Sequence, residues 1–359
     1  MVSFSSNNYL ALAHDSRMIA AAKFGLEKFG VANCESRLLG GDMEVYINLE
    51  RKLADLKGKE SAMLFATGYL TNLGVLSALP KSGMLPRAYG FRPSKRHKYA
   101  YFSDESNHTS IREGIALSGI PKATYRHCDM EDLRSKLKAS TASTKIIVSD
   151  GVFSMDGDIA PLPEILSIAD EFDATVYIDD AHGTGVLGEN GAGIGEHFGV
   201  NSSRLISMGT LSKAYGAIGG FIATESYISQ TLRFTSSAFG FTSTVPPDQA
   251  FAVSTALDIV RNEPERRKRL WDNQRYFVEK VEALGMPLVA KETCIVPVMV
   301  GDEEKCETYA HVLGSHGYHV DSIIYPAVKR GKARLRFNMN AHHTHAQIDG
   351  LVEVLAAGR

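Results

Sequence analysis

The chain has 359 residues, with 39 Lys+Arg against 41 Asp+Glu for a formal net charge of −2. That balance excludes a dedicated nucleic-acid binder, whose footprint is basic. With 44% apolar and 22% charged residues, the composition supports a buried core and excludes disorder for the bulk of the chain.

Taken in chain order, the opening residues carry neither the basic start nor the long apolar run of a signal peptide. No stretch reaches the roughly 18 apolar residues that a membrane helix needs. The cysteines, Cys34, Cys128, Cys294 and Cys306, are scattered without a CxxC pair. A disulfide scaffold or cysteine-built metal site is therefore not expected, no metal is assigned, and a reducing cytoplasm fits.

Short apolar runs at 62–65, 99–103, 145–150, 175–179, 205–208 and 220–223 predict strands. They lack strict alternation, which suits strands covered on both faces of a mostly parallel sheet. Helical patterns at 43–57, 107–118 and 162–172 lie between them, so the expected architecture is α/β. The texture changes after Pro246 and Pro247. Helices are predicted at 248–261 and 263–284, the second with Leu270, Phe277, Val281 and Leu284 as a core-facing stripe. Strands at 294–300, 319–324 and 333–338 follow, with helices at 303–317 and 344–357. They form a smaller α+β domain. Residues 81–98 hold six Lys/Arg and no acid. They read as a solvated loop, or as a docking patch for a phosphate-rich ligand or acidic carrier protein.

Three segments carry the candidate chemistry. In TVYIDDAHGTGVLGENGAG (175–193) a strand ends in Asp179 and Asp180, followed by His182 and glycines. Ligands in open α/β sheets bind beyond strand carboxyl ends, so this is either a ligand site or a polar turn. A literal GxGxxG at Gly183, Gly185 and Gly188 is rejected as a dinucleotide fingerprint. Residues intervene between strand and first glycine, no helix pattern follows, and no acid ends the next strand.

In SMGTLSKAYGAIGG (207–220), Lys213 stands among Thr210, Ser212 and small residues. Small neighbours admit a planar ligand, hydroxyls and free N–H groups suit a phosphate, and a partly buried lysine can serve as nucleophile and base. The third set, DESNHTS (104–110) and DGVFSMDGD (150–158), places polar groups at two more strand ends. Each alone is ordinary turn chemistry; together they point to one site.

These motifs resemble those of the α-oxoamine synthases, which are pyridoxal-phosphate (PLP) enzymes of fold type I. The resemblance runs from SNNYLAL (6–12) through SRLLGG (36–41), ATGYLTN (66–72), SDESNHTS, SDGVFSMDGDIAPL, DDAHGTGVLGENG, GTLSKAYGAIGG and TSTVPP (242–247) to ARLRF (333–337). It implies a large α/β/α PLP-binding domain with a mostly parallel sheet at 41–245, a small C-terminal α+β domain at 246–359, and an N-terminal segment at 1–40 that is short for the family.

The resemblance also implies roles. Lys213 carries the cofactor as a Schiff base and moves the substrate proton. Asp179 pairs with the ring nitrogen, His182 bonds the phenolic oxygen with Ser154 nearby, and His108 stacks on the ring. Gly68, Tyr69 and Thr210 border the phosphate, which Ser243 or Thr244 of a neighbouring subunit also reaches, implying a homodimer with shared sites. Asn7, Arg37 and Arg336 fall to the substrate, with Arg336 rather than Arg334 on the amino-acid carboxylate.

The implied reaction is decarboxylative condensation of an α-amino acid with an acyl thioester, on CoA or an acyl carrier protein, giving an α-amino ketone. Another fold-type I activity, such as an aminotransferase or lyase, and a non-catalytic partner subunit are the alternatives. Two departures lie near the expected substrate region: Asn33-Cys34-Glu35 replaces a glycine-rich stretch, and Tyr46 stands where a His is usual. The resemblance thus leaves the amino acid and the acyl chain open.

Overall fold

The computed structural model describes residues 1–84 and 98–358. All of the basic 81–98 segment but its ends lies outside the described residues. The strands are β1 (Val2–Ser3), β2 (Ser61–Phe65), β3 (Tyr99–Asp104), β4 (Lys122–Tyr125), β5 (Thr144–Asp150), β6 (Ala174–Asp179), β7 (Leu205–Thr210), β8 (Gly220–Thr224), β9 (Ile295–Gly301), β10 (Tyr318–His319), β11 (Asp321–Ile323) and β12 (Ala333–Asn338).

Two compact units interleave along the chain. The larger is Ala13–Gly151 with Ala160–Arg261, and the smaller is Met1–Leu12, Val152–Ile159 and Asn262–Arg359. The sequence reading instead cuts the chain into consecutive stretches.

The larger unit is built on a seven-stranded sheet of order β2-β8-β7-β6-β5-β3-β4. Pairings from β7 through β4 are parallel. Only β8 runs the other way, antiparallel to both β7 and β2. Consecutive residues of β5 and β6, Ile146, Ile147 and Val148 and then Val176, Tyr177 and Ile178, are buried. Both faces of these strands are therefore covered, which is why their sequences run apolar without alternation. Met63, Val148, Tyr177, Ile206 and Ile222 of the sheet share a core with Val75, Leu76, Ile111 and Ile115 of the helices Gly68–Ala78 and Thr109–Ser118.

The strand β4 is absent from the sequence reading. It is an edge strand whose Lys122 and Thr124 are exposed, so it carries no apolar run to read. The parallel order brings the carboxyl ends of β3, β5, β6 and β7, namely Asp104, Asp150, Asp179 and Thr210, to one edge of the sheet.

In the smaller unit an antiparallel sheet of order β11-β12-β9 is joined by helices Pro264–Ala283, Glu303–Ser315 and His345–Ala357. The predicted stripe faces inward: Leu270, Phe277 and Val281 are fully buried, and the Phe277 ring lies 4.9 Å from that of Phe337 on β12. Thr344 closes the start of the last helix in a reciprocal capping box with Gln347. The first residues belong here, with β1 parallel to β10 and Asn338 N–H donating to the Phe4 carbonyl at 2.6 Å.

Candidate active site

Within the larger unit, the strand-end edge gathers Asp150, Asp179 and His108. Asp179 closes β6 as a buried carboxylate. Its Oδ2 accepts from Asn72 Nδ2 at 2.6 Å and its Oδ1 from the Ala181 N–H at 3.0 Å. Both of these donors are uncharged. Asp150 ends β5 beside it and accepts the His108 N–H at 2.8 Å. Burial, and next the Asp179 charge, push the Asp150 carboxyl well above its ordinary pKa.

His108 is the N-cap of the helix Thr109–Ser118, with Nδ1 facing the Ser110 N–H at 3.3 Å and the Ser110 hydroxyl at 2.7 Å. The side chain keeps an exposed side, and partial desolvation of the rest lowers its pKa, against the pull of Asp179. Lys213 follows β7 by three residues in a turn closed by Gly216 N–H to Lys213 O at 3.0 Å. Its charge is near enough to act on both His108 and Asp150. His182 is buried three residues after Asp179.

Gly68 opens the helix Gly68–Ala78 after the N-cap Thr67. A Cβ at Gly68 would stand 3.0 Å from Thr210 Oγ1 and 3.1 Å from Met208 Cε, so glycine eases the close approach of the helix start to the end of β7. Thr210 Oγ1 in turn lies 2.9 Å from Ser212 Oγ. Tyr69 stands edge-on to His108 with 6.2 Å between centroids, and its hydroxyl donates to Glu113. Helix N–H groups beside two hydroxyls form an anion-binding cradle. With a buried carboxylate and a lysine on the same edge, this donor set fits PLP.

The remaining expected residues are placed differently. Ser243 is exposed, while Thr244 Oγ1 is buried with no hydrogen-bond partner among the described residues. Arg37 is spent on carboxylates. Its Nε and Nη2 donate to Asp42 Oδ1 at 2.8 and 2.6 Å, and its Nη1 donates to Glu50 Oε1 at 2.6 Å. Tyr46 lies under that guanidinium and donates its hydroxyl to the Val245 carbonyl at 2.9 Å. The glycines 183–193 turn a loop over Asp180, whose Oδ2 takes the Ile194 N–H at 3.1 Å. They start no dinucleotide-binding helix.

Within the smaller unit, Arg336 and Arg334 sit two apart on β12 and differ in partner. Arg334 Nη1 donates to Asp156 Oδ1 at 2.6 Å. Arg336 donates Nε to the Ser154 carbonyl at 2.6 Å and Nη2 to the Ser154 hydroxyl at 3.3 Å, with no carboxylate partner among the described residues. Asn7 Oδ1 accepts from the Tyr9 hydroxyl and from Asn338 Nδ2, both at 3.1 Å.

Asp104, His127 and Cys128 bring three donor atoms within 4.8 Å. The Asp104 oxygens already accept from Ser106 N–H, Cys128 N–H and His127, so the cluster clamps a turn.

Sequence reasoning assigned no role to Asn72, Ser110, Asp150 or Tyr177. All four lie in or beside the quoted motifs, but their partnerships cross between elements and leave no local signal.

Residues 1–355 match the family model described as aminotransferase class I and II. An 8-amino-7-oxononanoate synthase 1 of Bacillus velezensis is 41% identical over 357 residues, which is 99% of this chain and 87% of that protein. Its Bacillus subtilis (strain 168) counterpart is 39% identical over the same shares. A serine palmitoyltransferase structure holding PLP superposes with a TM-score of 0.91 at 31% identity, covering 99% of this chain and 86% of that one. The 8-amino-7-oxononanoate synthase of Francisella tularensis gives a TM-score of 0.83 at 25% identity, covering 99% and 97%. The chain thus belongs to the class I and II aminotransferase family as an α-oxoamine synthase, a PLP-dependent C-acyltransferase of fold type I that condenses an amino acid with an acyl thioester and releases CO2.

Proposed function

We propose that the chain makes 8-amino-7-oxononanoate. The observation that carries this reading is the meeting of Lys213, His108 and a buried Asp179 at one strand-end edge, on a chain with eight relatives of that name at 38–41% identity. The product name defines the substrates chemically. The condensation joins C7 to C8, so C8 and C9 with the amino group come from alanine after CO2 is lost. C1–C7 come from a seven-carbon dicarboxylic acyl thioester.

The roles follow from what each residue offers. When bound, PLP supplies the electron sink for charge developing at the amino-acid Cα. The Asp179 carboxylate, held by neutral donors, stabilises positive charge on the ring nitrogen, and His182 stands on the same strand end. His108 offers a flat ring with lowered basicity. The N–H groups of Gly68 and Tyr69, with the Thr210 and Ser212 hydroxyls, hold the phosphate. Lys213 Nζ anchors the cofactor and carries the Cα proton. Arg336 binds the amino-acid carboxylate, oriented by Ser154 and with Asn7 beside it in the same unit; Arg37 serves structure instead. Net, alanine and the acyl thioester give the amino ketone, CO2 and the free thiol.

A homodimer with shared sites and a cytoplasmic location belong to the same reading. Leu39 and Phe241 are 80% and 82% exposed, on segments tied by Ser36 Oγ donating to the Gly240 carbonyl at 2.5 Å. Apolar surface of that kind suits a second copy. Ser243, exposed two residues beyond Phe241, then reaches the partner's phosphate.

The test is CO2 release from carboxyl-labelled alanine with heptanedioyl thioesters of CoA and of carrier protein. Mass spectrometry identifies the amino ketone. Serine turning over in preference to alanine would sink the substrate assignment; keto-acid exchange without CO2 would sink the reaction in favour of an aminotransferase. Mixing Lys213→Ala with Ser243→Ala chains should restore part of the activity if sites are shared.

A further inference from the structure

We propose that Asn72 and Ser110 are positioning residues: a buried hydrogen-bond chain from Tyr177 through Asn72 and Ser110 holds the His108 imidazole neutral, with its proton on Nε2, and ties it to the Asp179 carboxylate. This deepens the proposed function, resting on its reading of His108 and Asp179 as the groups that flank the cofactor ring.

The donors in the chain are fixed by groups with only one option. The Asp179 carboxylate can only accept, so the amide nitrogen of Asn72 must face it, 2.6 Å away. The amide oxygen then accepts from the Tyr177 hydroxyl at 2.7 Å. The same amide nitrogen donates to Ser110 Oγ at 2.9 Å. The Ser110 hydroxyl also lies 2.7 Å from His108 Nδ1 and donates to it once that nitrogen is fixed as an acceptor. The Ser110 main-chain N–H also points at Nδ1, at 3.3 Å, and a main-chain N–H can only donate. Two donors aim at Nδ1, so the ring proton resides on Nε2.

The chain is dry and closely built. Asn72, Ser110 and Tyr177 are at most 1% exposed. Gly114, one turn beyond Ser110, permits the approach of the two helices, since a Cβ there would fall 2.7 Å from the Asn72 carbonyl oxygen.

The surroundings divide. Burial, Lys213 and Arg112 oppose a charged imidazole, Asp179 and Glu113 favour it, Asp150 meets only the His108 main-chain N–H, and Tyr69 meets the ring edge-on. Protonating Nδ1 would turn both Ser110 donors against an N–H. That local conflict keeps the ring neutral beside two carboxylates. The neutral ring presents Nε2–H as a donor and lies against a protonated cofactor ring without charge repulsion.

The test is the histidine 15N spectrum of the full-length protein, with and without cofactor, and with His108 assigned by difference from His108→Gln. The expected wild-type state at pH 7 is neutral with Nε2–H. Ser110→Ala and Asn72→Ala should raise the His108 titration midpoint by about one pH unit, a roughly tenfold change in protonation constant. Both should lower kcat about tenfold with the amino-acid KM unchanged, and Ser110→Thr should restore the wild-type midpoint.

An Nδ1–H ring or an imidazolium in the wild type overturns the proposal. So does an unchanged midpoint in both alanine variants. If the alanine variants do not fold, the wild-type tautomer and the Ser110→Thr spectrum decide. Failure of the wild type to develop the bound cofactor's visible absorbance would break the functional reading instead, and leaves the tautomer measurement standing on its own.

Discussion

Asp179 and Asp180 are neighbours at the end of one strand, and the fold treats them in opposite ways. Asp180 Oδ2 faces Lys57 Nζ at 2.7 Å, and takes the Ile194 N–H and the Thr184 hydroxyl at 3.1 Å each. Lys57 is itself filled by Thr184 and the Ala192 carbonyl at 2.8 and 2.7 Å. Both side chains are almost wholly buried. Asp179 is also buried but is held by an amide and a main-chain N–H, both uncharged donors. A buried carboxylate held by neutral donors stays able to stabilise a cationic group brought to it. One residue closes a loop, and its neighbour is kept available for chemistry.

The largest expected effect tests the Asp179 side of that contrast. Asp179→Asn should cut kcat by about 10²–10³-fold while stability changes by about 1 kcal/mol or less. Steady-state kinetics beside thermal unfolding would expose the split, and equal losses in both would erase the distinction. Lys57→Met should do the reverse. It leaves Asp180 buried and unpaired at a cost of about 3–5 kcal/mol, seen as a lower denaturant midpoint with the remaining folded enzyme still active.

A smaller version of the contrast lies on β12. Arg336→Lys should raise the amino-acid KM about tenfold, because lysine cannot present the two-pronged guanidinium. Arg334→Lys, a partner of Asp156, should leave KM nearly unchanged.

The smallest effect is a pH dependence. His343 is buried against the Phe4 ring at 4.0 Å, and burial pushes its pKa down to about 4. Unfolded, it binds a proton near pH 6.5. Its neutral form therefore supports folding fully above pH 6.5, and stability falls as pH drops from there toward about 4. The loss is about 3 kcal/mol at most. Denaturant midpoints across that window should flatten in a His343→Gln variant.

How much of this was legible in the sequence depended on whether the signal was local. Each strand that carries a site residue was announced by an apolar run, because strands covered on both faces must be apolar throughout. Lys213 stood out by its small neighbours, and Asp179 and His108 by their positions after such runs. Arg37 sat in a motif that said nothing of Asp42 and Glu50. Asn72 was an ordinary residue within ATGYLTN until the helix carrying it met the one carrying Ser110.

The sequence by itself determined the α/β class, the family and the order of the site motifs, since periodicity, turn chemistry and motif spacing are written along the chain. Tertiary structure alone decided which carboxylate of the 179–180 pair meets Lys57, which arginine of β12 meets Asp156, and that the Asn72 amide meets Asp179. Those outcomes depend on hydrogen-bond geometry between residues 107 to 178 apart in sequence. Burial makes that geometry decisive, because a polar group without water must take the partner that the fold supplies.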